Sequence, residues 1–190
     1  MRKLLRLFVA AMIVLVFFSC RKDPMPPTPE DPEYFAACVT PGSPSALDIV
    51  TFNVEGFPKN GSVSVNILAS LIKAMDADVI ALQEVASEAD FNRMVDRLPG
   101  WSGVFYEIDN DQWNLAYLFK DSETTVSANS ARLLFTGDLR AFPRPPFEIF
   151  IRHKPLNLEI CLINLHLKCC GGDDNEKRRQ EASAKLKEYL

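Results

Sequence analysis

Three polar residues stand at the ends of short apolar runs, and their side chains are of types that bind cations, orient ligands or transfer protons. They are Asn53, Glu84 and His166. A carboxylate at the end of an apolar strand needs a partner or a metal ion if it is buried, and asparagine is unfavourable within a strand. Taken singly, each residue also has a structural explanation. Asn53 can begin a turn, Glu84 can be solvated, and His166 can be a hydrogen-bonded structural histidine.

The third of these residues belongs to a segment whose side chains alternate between two faces. Strand geometry places Asn164, His166 and Lys168 on one face, opposite three apolar side chains. The chain has one other histidine, His153, which ends an exposed-looking strand beside Lys154. We expect no function for His153.

The elements that must position these residues form a mixed α/β pattern. Helical spacing predicts helices at 62–75, at 87–98 and from 173 or 174 to 190, the last capped by Asp173 or Asp174. Strands are predicted at 48–54, 78–83, 101–108, 113–120, 147–152 and 158–165. The last of these strands is mostly apolar, which is typical of a central strand.

The first 46 residues predict export and tethering. Residues 1–19 combine a positive start with a twelve-residue apolar run, which is too short to span a membrane and fits a signal peptide. The Ser19-Cys20 junction resembles the bacterial lipoprotein signal and implies that Cys20 is lipidated. A plain signal peptide with a chance cysteine is the alternative. Seven of the 13 prolines lie in residues 20–46, which predicts an extended tether before a domain at 47–190.

The charge of the chain bears on its partners. The formal net charge is −4, and removal of residues 1–19 with their three cations brings it to −7. General electrostatic nucleic-acid binders are basic, so we predict no stable nucleic-acid partner. A phosphate ester would have to be held by local groups or by metal ions, because the overall field opposes it.

Considered together, three motifs resemble the endonuclease/exonuclease/phosphatase superfamily, which has the DNase I-like fold. Residues 51–54 (TFNV) are similar to its first strand, residues 78–85 (DVIALQEV) to its Q-E signature, and residues 164–167 (NLHL) to its N-x-H motif. Residues 144–146 (RPP) and the helix at 178–190 resemble two further elements. The resemblance covers the predicted domain and implies an α/β (α+β) fold, a four-layer αββα sandwich.

The resemblance also implies a chemistry, the attack of metal-activated water on a phosphate ester. By resemblance, Glu84 ligates Mg²⁺ or Mn²⁺, and Asn53 orients that metal or a phosphate oxygen. His166 stabilises charge on the phosphate or handles a proton. Three further candidates for contact with phosphate are Asn114, Arg144 and Lys168. A surface cation is an equal explanation for the last two.

Two motifs of the family do not occur in this sequence, namely G-D-x-N and a terminal S-D-H. Residues 171–175 (GGDDN) have similar letters but directly follow the N-x-H strand, so we interpret them as a loop and helix cap. We therefore expect an αββα domain that is incomplete at its C-terminus, as in a fragment or a truncated gene. An incomplete sandwich exposes apolar surface, so the 190-residue chain alone is expected to be poorly soluble and nearly inactive.

Four cysteines remain besides Cys20. Cys161 is expected to pack within its strand as a small apolar residue. Cys169 and Cys170 form a vicinal disulfide, or one of them pairs with Cys38, if the protein is exported to an oxidising compartment. No C-x-x-C spacing occurs, so a cysteine zinc site is not expected.

The sequence as a whole predicts a metal-dependent phosphoesterase of the bacterial cell envelope, lipid-anchored through Cys20 to the outer membrane. Its substrate is a phosphate ester, and DNA, RNA, phospholipids and sugar phosphates all fit this fold. The alternative is a non-catalytic envelope lipoprotein that keeps the fold for binding.

Overall fold

The structure is a computed structural model that describes residues 28, 32–35, 42–43, 45–108 and 113–190. The predicted signal peptide, the lipidation site at Cys20 and the thiol of Cys38 lie outside these residues. Within the described ranges, no helix is long and apolar enough to cross a membrane.

The described residues form helices and strands in the mixed order that the sequence predicts. The helices are α1 (Pro32–Phe35), α2 (Ser62–Met75), α3 (Glu88–Val95) and α4 (Asp173–Tyr189). The strands are β1 (Ile49–Phe57), β2 (Val79–Val85), β3 (Trp101–Tyr106), β4 (Asn114–Lys120), β5 (Thr124–Val126), β6 (Arg132–Leu133), β7 (Phe147–His153) and β8 (Leu158–Asn164).

The strands belong to two sheets. The first has the order β1-β2-β4-β3, with β1 and β2 parallel and the other pairs antiparallel. In the second, β7 pairs with β5 and β6 along one edge and with β8 along the other. Among the described residues β8 pairs with β7 alone, although its apolar sequence predicted a central strand.

The two sheets and the helices stack into four layers, as predicted. Along β2, Ile80 and Leu82 face α2 and α3, whereas Val79 and Ala81 face the second sheet. Because β2 is buried on both faces, its sequence is a continuous apolar run. The core between the sheets includes Leu115, Tyr117, Phe119, Phe147, Ile149 and Ile151. Helix α4 covers a third cluster through Ala182 and supplies a helical layer beside the second sheet.

The helix ends differ in part from the predictions. Ser87 caps α3 as expected, since its side chain accepts a hydrogen bond from the backbone N–H of Asp90, but this helix ends at Val95. The prediction that Asp173 or Asp174 caps α4 is wrong, because Gly172 occupies the cap position without a side-chain hydrogen bond. The two aspartates lie in the first turn, where negative charge stabilises the positive end of a helix.

A buried carboxylate fastens α4 to the second sheet. Glu148 of β7 is 1% exposed and accepts hydrogen bonds from Tyr189 Oη at 2.7 Å and Arg132 Nε at 2.6 Å. Burial alone would raise the pKa of Glu148, but these two bonds outweigh it and hold the pKa below its ordinary value. The thiol of Cys161 also donates to Glu148, at 3.4 Å. Cys161 itself is exposed, so the prediction that it packs in the interior is wrong.

Candidate active site

The three residues at the predicted strand ends meet at one carboxylate oxygen. Asn53 Nδ2 donates a hydrogen bond to Glu84 Oε1 at 2.9 Å, and His166 Nε2 lies 3.4 Å from the same oxygen. The side chains of His166 and Glu84 are 14% and 20% exposed, so both are accessible from solvent. Residues separated by more than 80 positions in sequence are thus gathered at one edge of the sandwich.

The parallel pairing of β1 and β2 explains why Asn53 and Glu84 are neighbours. Asn53 is paired with Gln83, and the register of both strands shifts immediately afterwards. At these shifts Glu55 and Glu84 have φ angles of 48° and 63°. Left-handed backbone costs a residue with a side chain about 1–2 kcal/mol, and such strain is concentrated at functional sites. The bulge at Glu84 turns its carboxylate out of the strand toward Asn53 and His166.

The neighbouring bulge in β1 depends on a glycine. Gly56 has a φ of 74°, and a Cβ atom at this position would lie 2.7 Å from the ring of Trp113. Glycine therefore permits both the left-handed backbone and the close approach of the Trp113 ring.

Two buried amides lie directly beneath Glu84 and join the sheets. Gln83 Nε2 donates to Asn164 Oδ1 at 2.7 Å, and Asn164 Nδ2 donates to the carbonyl oxygens of Leu82 at 2.8 Å and Ala116 at 3.2 Å. Asn164 is only 3% exposed. The sequence placed Asn164 on the same face as His166 but did not reveal this buried network, because its partners come from two distant strands.

Asn114 also acts on the backbone beside Glu84. Its Nδ2 donates to the carbonyl oxygen of Val85 at 3.0 Å, and its Oδ1 accepts from the N–H of Ile108 at 2.8 Å. At 5% exposure, Asn114 is buried within the first sheet. These contacts give it a positioning role, whereas its contact with phosphate stays a prediction.

The loop that follows His166 carries two thiols close to positive charge. Cys169 and Cys170 are free thiols whose Sγ atoms are 2.7 Å apart. The hydrogen bond from Cys170 lowers the pKa of the Cys169 thiol, and the charges of Lys168 and Arg144 lower it further. Both predicted phosphate-binding cations therefore act on this loop, which Arg179 of α4 holds through the carbonyl oxygens of residues 168 and 170.

The donor set at this edge fits a hard divalent cation. The Glu84 carboxylate is a partly exposed oxygen donor of the kind that Mg²⁺ and Mn²⁺ prefer. Asn53 Oδ1 accepts the backbone N–H of Glu55 at 2.8 Å, while its Nδ2 faces Glu84. In this arrangement Asn53 orients the carboxylate, and its direct contact with a metal or phosphate stays a prediction.

One protein-family model matches the part of the chain that contains these site residues. Residues 50–171 match the family model described as Endonuclease/Exonuclease/phosphatase family. The search of curated protein sequences finds no match.

Solved structures share the fold at low sequence identity. D. rerio TDP2 complexed with a single-strand DNA product gives a TM-score of 0.57 at 18% identity, covering 76% of this chain and 56% of that chain. The human Nocturnin catalytic domain with a bound sulfate anion gives 0.51 at 20% identity, covering 73% and 53%. Truncated Caenorhabditis elegans TDP2 gives 0.53 at 15% identity, covering 75% and 55%. The chain thus spans about half the length of these structures.

Proposed function

Because this chain belongs to the endonuclease/exonuclease/phosphatase family, we propose that it forms part of a hydrolase that cleaves phosphate esters with a divalent cation held by Glu84. The observation that carries this proposal is the convergence of Asn53 and His166 on Glu84 Oε1, at 2.9 Å and 3.4 Å. A carboxylate, an amide and an imidazole at one accessible edge supply a metal ligand, an orienting group and a proton donor.

Each side chain has a separate task in the proposed reaction. When bound, Mg²⁺ or Mn²⁺ would lower the pKa of a water molecule and offset charge on the phosphate oxygens. Glu84 holds the cation, and the hydrogen bond from Asn53 restrains the carboxylate. His166, next to the carboxylate, donates a hydrogen bond or a proton to a phosphate oxygen as charge develops. Lys168 and Arg144 attract the anionic substrate to the loop beside His166.

The test is hydrolysis of bis-p-nitrophenyl phosphate by the protein translated from the complete gene. We expect product release in the presence of Mg²⁺ or Mn²⁺, its loss on addition of EDTA, and its return when excess cation is restored. Hydrolysis that survives EDTA would contradict the proposal. A folded protein that binds Mg²⁺ but releases no product would favour the non-catalytic alternative, in which the fold serves binding.

We also propose that the protein is exported to the bacterial envelope and anchored through a lipid on Cys20. The support is the sequence of residues 1–20 alone, a positive start followed by a twelve-residue apolar run that ends at Ser19-Cys20. Cell fractionation of the wild type and of Cys20→Ser tests this. The wild type is expected in the membrane fraction and the variant in the soluble fraction, and equal distribution of the two would refute lipid anchoring.

A further inference from the structure

A second cluster of metal-binding residue types lies at the other end of the two sheets. It consists of Asp78, Glu123 and His153, and one donor atom from each lies within 4.8 Å of the others. Asp78 immediately precedes β2, whereas Glu84 lies near its end. Six residues of strand span about 20 Å, so the cluster is well separated from the candidate active site.

The course of β7 places His153 at the same far end. Phe147, the first residue of β7, is paired with Asn164 beneath the active site, whereas His153 is paired with Leu158 at the start of β8. On its other side His153 is paired with Thr124 of β5. The cluster therefore joins the residue that precedes β2 of the first sheet to residues at β5 and β7 of the second.

Two members of the cluster are buried, which the sequence did not predict for His153. Asp78 is 5% exposed and His153 is 1% exposed, while Glu123 is half-buried. The prediction of an exposed end to this strand is wrong for His153, because His153 lies on the same face of β7 as Phe147, Ile149 and Ile151, which is buried between the sheets. Buried charges are costly unless they are paired or ligate a metal.

The distance within the cluster suits two ligands of one metal better than a hydrogen bond. His153 Nε2 lies 3.6 Å from Asp78 Oδ2, whereas N–H···O hydrogen bonds centre near about 2.9 Å. Tetrahedral zinc with bonds of about 2.0–2.2 Å holds its ligand atoms about 3.4 Å apart. Asp78 Oδ2 also accepts the backbone N–H of Asp48 at 2.8 Å, which fixes the carboxylate in place.

Two further buried polar atoms lie beside this cluster. His153 Nδ1 and Thr124 Oγ1 are buried, and neither has a hydrogen-bond partner among the described residues. The two residues are directly opposite each other in the β5–β7 pair, so their side chains lie side by side on one face. Since Nε2 is the nitrogen that faces Asp78, Nδ1 would carry the ring proton if the histidine ligated a metal, and a water molecule would satisfy Nδ1 and Thr124 Oγ1.

The flanking lysines do not neutralise the carboxylates. Lys120 pairs with Asp76 at 2.6 Å, and Lys154 Nζ donates to the carbonyl oxygen of Asp121. Within the described part of the chain, no lysine or arginine forms an ion pair with Asp78 or Glu123. Histidine is thus the basic side chain that faces the two carboxylates.

We propose that Asp78, Glu123 and His153 bind Zn²⁺, with a water molecule as the fourth ligand, and so link the two sheets at the end opposite Glu84. Imidazole nitrogen with carboxylate oxygen suits Zn²⁺, whereas Mg²⁺ prefers an all-oxygen set and keeps several waters. Since a site assembled only on folding adds its binding free energy to stability, Zn²⁺ bound here stabilises the sandwich. This site is separate from the proposed catalytic one and does not depend on it.

The test uses the 190-residue chain carrying Glu84→Gln, Cys169→Ser and Cys170→Ser, which removes the carboxylate and the two adjacent thiols near the active site. After metal removal, one equivalent of Zn²⁺ is expected to bind and to raise the Tm by several degrees, and Mg²⁺ is not. Glu123→Gln is expected to weaken Zn²⁺ binding by more than about tenfold and to abolish the rise in Tm. Glu159→Gln, at an exposed position of β8, is the matched control and should leave both unchanged.

Three outcomes would overturn the site. One is the absence of bound zinc, by elemental analysis, in the parent protein with the three substitutions after loading with Zn²⁺ and dialysis, which does not depend on whether Glu123→Gln folds. Another is equal Zn²⁺ affinity in the parent and in Glu123→Gln. The third is equal stabilisation by Mg²⁺. Because Glu84 is already replaced and no hydrolysis is measured, none of these results bears on the proposed catalytic function.

Discussion

In the protein translated from the complete gene, replacement of Glu84 by glutamine is expected to lower metal-dependent hydrolysis of bis-p-nitrophenyl phosphate by at least about a hundredfold. The variant keeps the size of the side chain and an oxygen that Asn53 Nδ2 can reach, but it removes the negative charge that holds the cation. Binding of Mn²⁺ should therefore weaken by at least about tenfold. Titration calorimetry with Mn²⁺ measures this loss directly and does not require turnover.

Glu55→Gln is the matched control for this substitution. Glu55 lies two residues beyond Asn53, but its side chain is 80% exposed and pairs with Lys59 at 2.5 Å. Only its backbone N–H contacts Asn53, and the substitution leaves that contact in place. Hydrolysis and Mn²⁺ binding should match the wild type in Glu55→Gln. Equal losses of hydrolysis and Mn²⁺ binding in the two variants would show that the overall negative charge of this region, rather than Glu84 itself, attracts the cation.

The stability of Glu84→Gln separates a functional effect from a folding defect. Glutamine inherits the same left-handed backbone, with φ of 63°, so the strain at this position is unchanged. Urea unfolding should therefore give a free energy within about 1 kcal/mol of the wild type. If the variant unfolds at much lower urea concentration, its loss of activity would no longer report on metal binding.

The sequence predicted the parts of this site that are determined locally. Apolar runs predicted β2 and β8 to within two residues at each end, although only β2 is buried along its length. The Q-E and N-x-H motifs then identified Glu84 and His166 as the polar residues at the strand ends. The structure brings these two side chains to within 3.4 Å of each other.

Features that depend on pairing between distant strands were not predictable in this way. Strands β5 and β6 have three and two residues and exist only because β7 offers them an edge. His153 looked exposed for a similar reason, since nothing in its own segment reveals that its face of β7 packs against the first sheet. The buried role of Asn164 likewise depends on carbonyl groups of β2 and β4, which no local pattern specifies.

Asn164→Ala is expected to reduce the free energy of unfolding by about 2–4 kcal/mol. The substitution removes three hydrogen bonds, from Gln83 to Asn164 Oδ1 and from Asn164 Nδ2 to two carbonyl oxygens, and all lie in the interior. Gln83 Nε2 keeps contacts with Thr51 Oγ1 at 3.1 Å and its neighbour Ala81 at 3.2 Å, which limits the loss. Urea unfolding at neutral pH measures the change.

Asn92→Ala is the matched control, since Asn92 is exposed in the middle of α3, where alanine has the higher helix propensity. Its stability should be unchanged or slightly higher, and a loss in Asn164→Ala no larger than in this control would refute the role of the buried amide.

Asn164→Asp tests the donor role of the Asn164 amide, because a carboxylate at the same place faces two carbonyl oxygens and cannot donate to them when ionised. It should be less stable than Asn164→Ala at pH 7 and should recover part of the difference as the pH falls and the carboxyl group takes up a proton.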